Sequence, residues 1–552
     1  MTDRPSRTAR LRVRLAAVPR GVLAVTALFG LVLALWTVAV PQYRAPDEPA
    51  HVDLILFLAE GHPYPQFDGR FFGKEVGLAT QRHLIELGKP WPRFAADDAP
   101  PRSNRPNVED LGGTGPDPGA RKTIGPGPPP AGAPYVYNQM PQHPPLYHQA
   151  MAAVLRLERA VVPGSRTPPL DREIGLLRLV NALLLTPLPF LAWAAARRTG
   201  SSQRAAQVAS VLPLGLPQLT HIGSSANNDN LLTLLAAVLA VLLAGVGRGR
   251  RTIRTDVTVG VVFGLAMLTK AFALALLPWI VAAYVLAWLA APDRRKALAG
   301  LMTAGLITAV VGAWWWIGNL IRHGEPAPTS ETLTRTRDRR PDGFEPDAWS
   351  YAWRFTTRMA SRTWAWVGFG TPKVMLPGVI TAVLTLLTVA VVVLALIRST
   401  PGADRTRGPR RRDLLLALLP VTALLTFVAR RAWGLHVTTG TFAFVQGRYL
   451  FAGIVPLVVV AAIGYNRLLG RRGPGVLLAV AATLQFWMLQ RVVSASWAGH
   501  GFLGRAGSML AWSPWPSAAV VLVAGGAVAA LAVAARWLIV EPTGELDKPA
   551  AP

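Results

Sequence analysis

Long apolar runs alternate with short basic clusters along this chain. A helix needs about 20 mostly apolar residues to cross a bilayer, and the first such run covers residues 21–40. Later runs fall at residues 174–196, 205–222, 228–246, 256–270, 271–291, 298–321, 374–397, 414–429, 448–465, 475–492 and 516–538. The pattern predicts an all-α polytopic membrane protein with about twelve transmembrane helices.

The basic clusters indicate how these helices cross the membrane. Positively charged loops stay in the cytoplasm, so the arginine-rich leader 1–20 predicts a cytoplasmic N-terminus in the plasma membrane. Residues 21–540 then form one transmembrane domain, and the tail 541–552 is also cytoplasmic. The same threading puts the clusters at 197–204, 248–254, 294–296, 405–412 and 467–472 in the cytoplasm.

The segment from Pro144 to Val161 could be mistaken for another span, which would invert every later loop. Its apolar and polar residues occupy opposite helical faces, which is typical of a helix lying on the membrane surface. The apolar face holds Leu146, Ala150, Val154 and Leu157, and the polar face holds Gln149, Arg156 and Arg159. Function is therefore expected in three long outer segments, 42–171, 322–372 and 430–447. In the first, the stretch from Pro126 to Pro130 predicts an irregular loop.

Composition narrows the class of protein further. Hydrophobic residues make up 51% of the 552 residues and charged residues only 16%, which no ordinary soluble enzyme shows. The net charge of +27 would otherwise indicate nucleic-acid binding, but the charges lie in short clusters between spans, so a nucleic-acid partner is disfavoured. Because the chain has no cysteine, it cannot use disulfides, thiolate catalysis or Cys-ligated zinc.

The most distinctive polar constellation follows the first span. Asp47 and Glu48 are adjacent carboxylates, and on a helix Asp47 and His51 would share one face. A carboxylate and an imidazole in one volume suit a general base or a metal site. The alternative is that Asp47 only caps a helix that has Pro49 in its first turn.

At this point the sequence resembles the GT-C superfamily of polytopic glycosyltransferases, and most of all the bacterial membrane family of domain of unknown function 2142. The resemblance extends over nearly the whole chain, but only the combination of its short motifs is specific. These motifs are Asp47-Glu48, Gly61, the run from Pro144 to Tyr147, the run from Arg178 to Leu183, the run from Trp314 to Gly324, the run from Gln446 to Leu450, and Pro456.

The resemblance implies a specific chemistry. GT-C enzymes use polyprenyl-phosphate-linked sugars, and Asp47 takes the position of their acidic residue in the first outer loop. Asp47 would withdraw the proton of an acceptor hydroxyl as it attacks the anomeric carbon, with inversion of configuration. Glu48 and His51 would orient Asp47, or Asp47 and Glu48 would hold a divalent cation, Mg or Mn. The acceptor would be an envelope glycan or lipid outside the cytoplasm.

Basic residues on the outer side are candidates for binding the donor phosphate. Arg448 lies at the outer start of a span, where a guanidinium could bind phosphate through two hydrogen bonds. The alternative is an arginine that extends to lipid headgroups. Further candidates are Lys270, between two closely joined spans, and Arg430 and Arg431, which share an outer loop.

One departure from the superfamily affects the phosphate contact. Many GT-C relatives have an arginine before the asparagine that matches Asn319, and here that position is Gly318. Arg322, one helical turn later, is the candidate substitute.

Three further residues are candidates for an acceptor groove. Asp229 opens a span from outside and matches an acidic residue of the resembling families, although helix capping by this polar cluster is the alternative. His143 and Tyr147 precede or open the surface helix and could line the groove, although a histidine near a helix start is usually structural.

Three functional classes follow from these observations. The first is a membrane glycosyltransferase, and the second is a transporter or flippase of lipid-linked saccharides. A transporter would be expected to have ionisable residues inside its spans and repeated halves, which this sequence largely lacks. The third is a non-catalytic partner in envelope assembly, which would keep the fold without the activity.

Overall fold

The computed structural model describes residues 18–67, 69–70, 72–74, 93–115, 138–162, 167–329, 342–368, 374–399 and 408–540. Helices dominate these ranges, which confirms the all-α polytopic membrane architecture. The leader up to residue 17, the tract from Pro126 to Pro130, Arg405 and the tail 541–552 lie outside the described residues, so the predictions made for them stay predictions. The division into leader, transmembrane domain and tail likewise stays a prediction.

The helices follow the apolar runs closely. In chain order they are α1 Arg20–Ala39, α2 Glu48–Ala59, α3 Leu146–Val161, α4 Leu170–Leu185, α5 Leu188–Arg198, α6 Gln203–Val211, α7 Pro217–Gly223, α8 Asn228–Val246, α9 Ile253–Met267, α10 Leu277–Ala290, α11 Arg294–Thr308, α12 Trp314–His323, α13 Ala348–Trp364, α14 Gly378–Ile397, α15 Arg411–Thr439, α16 Ile454–Leu469, α17 Gly473–Ser496, α18 Gly501–Trp512 and α19 Ser517–Val540. One short antiparallel hairpin, β1 Trp366–Val367 and β2 Val374–Met375, follows α13.

Nine stretches of the described chain are long and apolar enough to cross a membrane, fewer than the predicted twelve. One of them, residues 447–496, contains both α16 and α17, so it accounts for two predicted spans. The predicted span 205–222 is instead divided into α6, a 3-10 turn and α7, because Pro213 and Pro217 interrupt the helical hydrogen bonding. The predicted span 256–270 corresponds to α9, whose 15 residues are too few to cross a membrane as a straight helix, so it is not among the nine stretches.

Helix α15 is longer than the apolar run predicted. It continues beyond residue 429 to Thr439 and ends where Gly440 adopts a left-handed conformation with φ of 68°. Arg430 and Arg431 therefore lie within this helix and not in an outer loop. The outer segment predicted to begin at residue 430 begins about ten residues later.

Helix α3 has a buried and an exposed face, but its buried face is not the apolar face that the sequence predicted. Tyr147, His148, Met151 and Leu155 are buried against the protein, in a cluster that includes α2 and α4. Leu157, on the predicted apolar face, remains 64% exposed. With 16 residues, α3 is not among the candidate spans, and its position on the membrane surface stays a prediction.

The core lies among α1, α4 to α8 and α16, while α14 and α19 leave most of their apolar residues exposed, as expected of helices that face lipid. Four segments meet at one end of this core. They are the start of α2, the start of α8, the 3-10 segment Ala271–Leu276 that precedes α10, and the 3-10 segment Gly447–Gly453 that precedes α16.

Candidate functional site

Four charged side chains converge where these segments meet. Arg448 donates a hydrogen bond from Nη2 to Oδ2 of Asp47, and its Nε lies 3.5 Å from Oδ2 of Asp229. Lys270 donates from Nζ to Oδ1 of Asp229 over 2.7 Å. The sequence singled out all four residues, and the structure brings them into one chain of alternating charge. We call these four residues the ion cluster.

The ion cluster is open to solvent at one member. The side chains of Arg448, Asp229 and Lys270 are 3%, 5% and 6% exposed, whereas that of Asp47 is 26% exposed. A ligand arriving from solvent would therefore meet Asp47 first.

The backbone holds Asp47 in an uncommon conformation. Asp47 occupies the cap position before α2, with φ of 62°, and its side chain caps nothing. Its carbonyl accepts a hydrogen bond from the amide of His51 over 3.0 Å. The capping alternative is thus realised only by the backbone, which leaves the carboxylate free to contact Arg448. A left-handed non-glycine residue costs free energy that its surroundings must offset.

Arg448 is positioned by a close approach of two backbones. A Cβ atom at Gly447 would overlap the backbone of Arg362 and Thr363 at the end of α13. Arg448 also donates from Nη1 to the carbonyl of Pro46 over 3.2 Å. This contact and the Asp47 contact tie two segments that are about 400 residues apart in sequence.

The start of α8 and the segment before α10 position the other two members. Asn227 accepts a hydrogen bond from the amide of Asp229 over 2.9 Å, so capping does operate here, but through Asn227. The carboxylate of Asp229 is left to bind Lys270. The Lys270 ammonium also lies 5.4 Å from the ring centroids of Phe272 and Tyr449, within cation–π range.

Glu48 does not join Asp47, contrary to the prediction that the two acids act together. Its carboxylate is fully buried and binds Arg178 through two hydrogen bonds of 2.8 and 2.6 Å. The amides of Tyr43 and Ala226 donate to the same carboxylate. Arg178 in turn donates to the carbonyls of Thr37, Val40 and Pro41. Glu48 and Arg178 therefore join the end of α1 to α4 and α8.

The sequence offered a signal for this pair. Arg178 is an ionisable residue inside an apolar helix, and such a residue requires a buried partner. Its hydropathic context alone does not identify Glu48 as that partner.

The side chain of His51 contacts His148, a residue that was not among the predicted candidates, and makes no hydrogen bond to the side chains of the ion cluster. Its Nδ1 lies 3.0 Å from Nε2 of His148, and both rings are buried and stacked at 5.2 Å between centroids. Burial lowers the pKa of His148 to about 3, and burial together with His148 and His143 lowers the pKa of His51 well below its ordinary value. Both histidines are therefore neutral near pH 7. The sequence carries only a weak signal for this pair, a second histidine directly after Tyr147 at the start of α3.

The two groove candidates lie beside this histidine pair. The carbonyl of His143 accepts a hydrogen bond from Tyr64 over 2.8 Å, and burial lowers the pKa of the His143 ring. The hydroxyl of Tyr147 donates to Asn181 over 3.1 Å in a fully buried position. Tyr147 is thus a packing residue beneath the site, and its assignment to an exposed groove does not fit its burial.

The remaining basic candidates do not reach the ion cluster. Arg322 is exposed at the end of α12 and donates to the carbonyl of Gly318 over 3.1 Å. Arg430 is exposed on α15. Arg431 lies over the ring of Phe444, 4.8 Å from its centroid. The prediction that these three residues bind the donor phosphate together with Arg448 is therefore not supported by their positions.

The carboxylates do not fit a shared divalent cation. Magnesium requires about six oxygen ligands, whereas Asp47 faces Arg448 and Glu48 faces Arg178. Within the described parts of the chain, no group of three or more His, Asp or Glu side chains is arranged to hold a metal ion. The predicted cation at Asp47 and Glu48 thus conflicts with the partners of both residues.

A cavity of about 560 Å³ lies beyond the Glu48–Arg178 pair and does not include the ion cluster. Its lining is mostly apolar and includes Tyr43, Phe94, Trp497 and Trp512, with Arg105 and Arg178 among its polar groups. Arg105 is held by the carbonyls of Ala511 and Ser513 and by Asp171. This cavity and the ion cluster are therefore distinct spaces at the same end of the molecule.

Comparison with known proteins yields one family and a small number of structures. Residues 171–316 match the family described as dolichyl-phosphate-mannose-protein mannosyltransferase, which is about a quarter of the chain and includes Asp229 and Lys270. No curated protein matches the sequence.

Several solved structures are similar over most of this chain, and three of them illustrate the range. ArnT from Cupriavidus metallidurans bound to undecaprenyl phosphate is 16% identical, with a TM-score of 0.45 over 94% of this chain and 76% of that one. The apo state of the same protein is 14% identical, with a TM-score of 0.44 over 93% and 76%. The apo oligosaccharyltransferase of Archaeoglobus fulgidus is 11% identical, with a TM-score of 0.39 over 94% and 56%.

Proposed function

We propose that this multi-pass membrane protein is a GT-C-type glycosyltransferase that moves a sugar from a polyprenyl-phosphate-linked donor to an envelope glycan or lipid outside the cytoplasm. The observation that carries the proposal is the ion cluster, in which two cations and two carboxylates meet in a mostly buried site with its acidic end exposed. Within the superfamily, the proposal keeps the resemblance to the family of domain of unknown function 2142.

The matched family supports a lipid-phosphate donor. Its description names dolichyl-phosphate-mannose as the donor and a protein as the acceptor, and the match includes two members of the ion cluster. Asp47 and Arg448 lie outside the matched residues, so their roles depend on the geometry alone.

Arg448 and Lys270 are suited to hold the donor phosphate. A guanidinium binds phosphate through two parallel hydrogen bonds, and an ammonium adds a point charge. Both cations are already held side by side through Asp229, which contacts each of them. The phosphate would meet a preformed pair of cations and would need no large movement to reach both.

Donor binding would also prepare Asp47 for catalysis. In the structure, Arg448 is the partner of Asp47. A phosphate that takes over the guanidinium weakens this pair, and Asp47, the most exposed member, becomes available to the acceptor. A carboxylate that is released only when donor is present would couple base activity to donor binding.

The transfer is a single displacement. The acceptor oxygen forms a bond to the anomeric carbon as Asp47 takes the hydroxyl proton. The bond from that carbon to the phosphate oxygen breaks on the opposite face, and polyprenyl phosphate leaves with the electron pair. Arg448 and Lys270 stabilise the negative charge that collects on the departing phosphate. The anomeric configuration is inverted.

Replacing Asp47 by Asn tests the assignment. We expect transfer of label from polyprenyl-phosphate sugars to envelope acceptors to fall by about 10²- to 10⁴-fold, because the amide cannot accept the proton. Binding of undecaprenyl phosphate should persist or tighten, because Arg448 loses its competing carboxylate. Both are measured on the full-length protein in proteoliposomes.

Asp97→Asn is the matched control, since Asp97 is an exposed acid in the same outer segment. Its transfer rate should equal that of the parent protein. Equal turnover by the Asp47→Asn variant would contradict the catalytic role. Tight lipid-phosphate binding with no transfer by the parent protein would favour the non-catalytic partner instead.

A further inference from the structure

A second cavity, whose lining is largely polar, lies far from the ion cluster. It has a volume of about 440 Å³ and is formed by the loop after α8, the end of α10 and the start of α15. Helix α8 begins at the ion cluster and its 19 residues extend about 28 Å to this loop. The candidate span Ala271–Ala290 likewise begins beside Lys270 and ends at this cavity. The cavity therefore lies at the opposite ends of two membrane-spanning helices.

The cavity is strongly positive. Among the described residues that line it, five are arginines and one is an aspartate: Arg248, Arg250, Arg251, Arg410, Arg412 and Asp413. One further carboxylate, that of Asp256, pairs with Arg251 at 2.6 Å. Arg248 and Arg251 each pair with one of these carboxylates, and Arg250 is exposed at the rim, so the described lining carries more positive than negative charge.

Two of the arginines, Arg248 and Arg251, are held in place by hydrogen bonds to the fold. Arg248 donates to Asp413 and to the carbonyl of Thr199, each over 2.7 Å. Arg251 donates to Asp256, which also accepts a hydrogen bond from Tyr284 over 2.8 Å. Burial and the neighbouring Arg250 and Arg410 lower the pKa of Arg248, although Asp413 opposes this. Positive groups fixed close together in this way form a preorganised anion site.

We propose that this cavity binds the phosphate headgroup of an anionic phospholipid. One wall is formed by Ala287, Ala290 and Pro292 at the end of α10, so the arginines meet an apolar helix end. The neighbouring apolar residues Trp288 and Leu289 are 36% and 57% exposed on the last turn of that helix. A phosphate bound to the arginines would thus have an apolar surface beside it for acyl chains. This site is independent of the proposed glycosyltransferase activity.

The test uses the full-length protein in detergent, titrated calorimetrically with short-chain phosphatidylglycerol. We expect saturable binding, and Arg250→Ala should weaken it about tenfold, the loss of one charge-assisted contact. Arg250 is exposed and its removal leaves the Arg248–Asp413 and Arg251–Asp256 pairs intact. Arg250→Lys, which keeps the charge, should recover part of the loss. Arg254→Ala is the control, because Arg254 is exposed nearby and does not line the cavity.

Three results would overturn the proposal. Equal binding of short-chain phosphatidylcholine would show that the anionic headgroup is not recognised. An equal loss in Arg254→Ala would show diffuse attraction to a basic surface. Inorganic phosphate that displaces phosphatidylglycerol at equal concentration would identify a free phosphate, and not a membrane lipid, as the ligand.

Discussion

Two neighbouring acids in this chain meet quite different surroundings. Asp47 has a left-handed backbone and precedes α2, whereas Glu48 is the first residue of that helix. Their side chains therefore leave the backbone in different directions, one to Arg448 and the other to Arg178. Breaking a buried pair such as Glu48–Arg178 is costly because it strands a charge. The more exposed Asp47 pair can exchange partners at lower cost, which suits a reactive group.

The buried histidines predict a dependence of stability on pH. The folded protein keeps His148 neutral down to about pH 3, whereas an unfolded histidine takes up a proton near pH 6.5. Between these values the unfolded state binds more protons, so the free energy of unfolding falls as pH falls below 6.5. At pH 5 the loss is about 2 kcal/mol for such a histidine.

Thermal unfolding at pH 7 and pH 5 measures this effect. We expect Tm to fall more in the parent protein than in His148→Gln, whose amide can still contact His51 but cannot titrate. Carboxylates contribute equally to both proteins and cancel in the comparison. The same fall in both proteins would mean that His148 is not the source.

At the scale of elements, the two cations of the ion cluster lie at short 3-10 segments, whereas its two acids lie at the starts of helices α2 and α8. Lys270 and Arg448 each sit immediately before or within such a segment, at Ala271–Leu276 and Gly447–Gly453. The first of these segments leads into α10 and the second into α16. The segment that holds Arg448 depends on Gly447, because the backbone of α13 passes directly against it.

Gly447→Ala should destabilise the protein by about 1–3 kcal/mol, the usual cost of overpacking. Gly434→Ala is its matched control: Gly434 is exposed within α15 and an added Cβ would contact nothing within 4 Å. Since alanine favours a helix by up to about 1 kcal/mol over glycine, the control should raise Tm while Gly447→Ala lowers it. A rise in Tm for both variants would contradict the close packing at Gly447.

The whole molecule has two polar ends separated by apolar helices. The ion cluster lies at one end and the arginine-lined cavity at the other, joined by α8 and by the span that contains α10. The distribution of positive charge predicts that the arginine-lined end is cytoplasmic. If so, Asp47 faces outward, where the proposed acceptor would be.

This orientation can be measured by labelling, because the chain has no cysteine of its own. Asn104 and Thr252 are exposed residues at the two ends. We expect Asn104→Cys to react with a membrane-impermeant maleimide in intact cells, and Thr252→Cys to react only after the cells are opened. Labelling of Thr252→Cys in intact cells, with protection of Asn104→Cys, would reverse the orientation and place Asp47 in the cytoplasm.

Local patterns are sufficient to identify the membrane class, most helices and the candidates Lys270 and Arg448. By pattern alone Asp47 and Asp229 could equally be helix caps, and the family resemblance made them site candidates. Hydropathy and helix-ending residues act over one segment at a time, so a sequence displays them directly. The sequence does not predict the length of α15, because polar residues such as Arg430 and Arg431 end the apolar run but not the helix. The prediction of one continuous span over 205–222 was wrong, although Pro213 and Pro217 in the sequence indicate an interruption.

Only the packed fold decided which charges meet. Glu48 and Arg178 are 130 positions apart, and Asp47 and Arg448 are 401 positions apart. No spacing rule links residues at such separations, because their contact depends on how the helices pack and on where the chain turns. Desolvation makes each buried charge require a partner of opposite charge, but the sequence contains several residues that could serve as that partner. The packing of α1, α4 and α8 places Arg178 against Glu48. Asp47 therefore pairs with Arg448, at the most exposed end of the ion cluster.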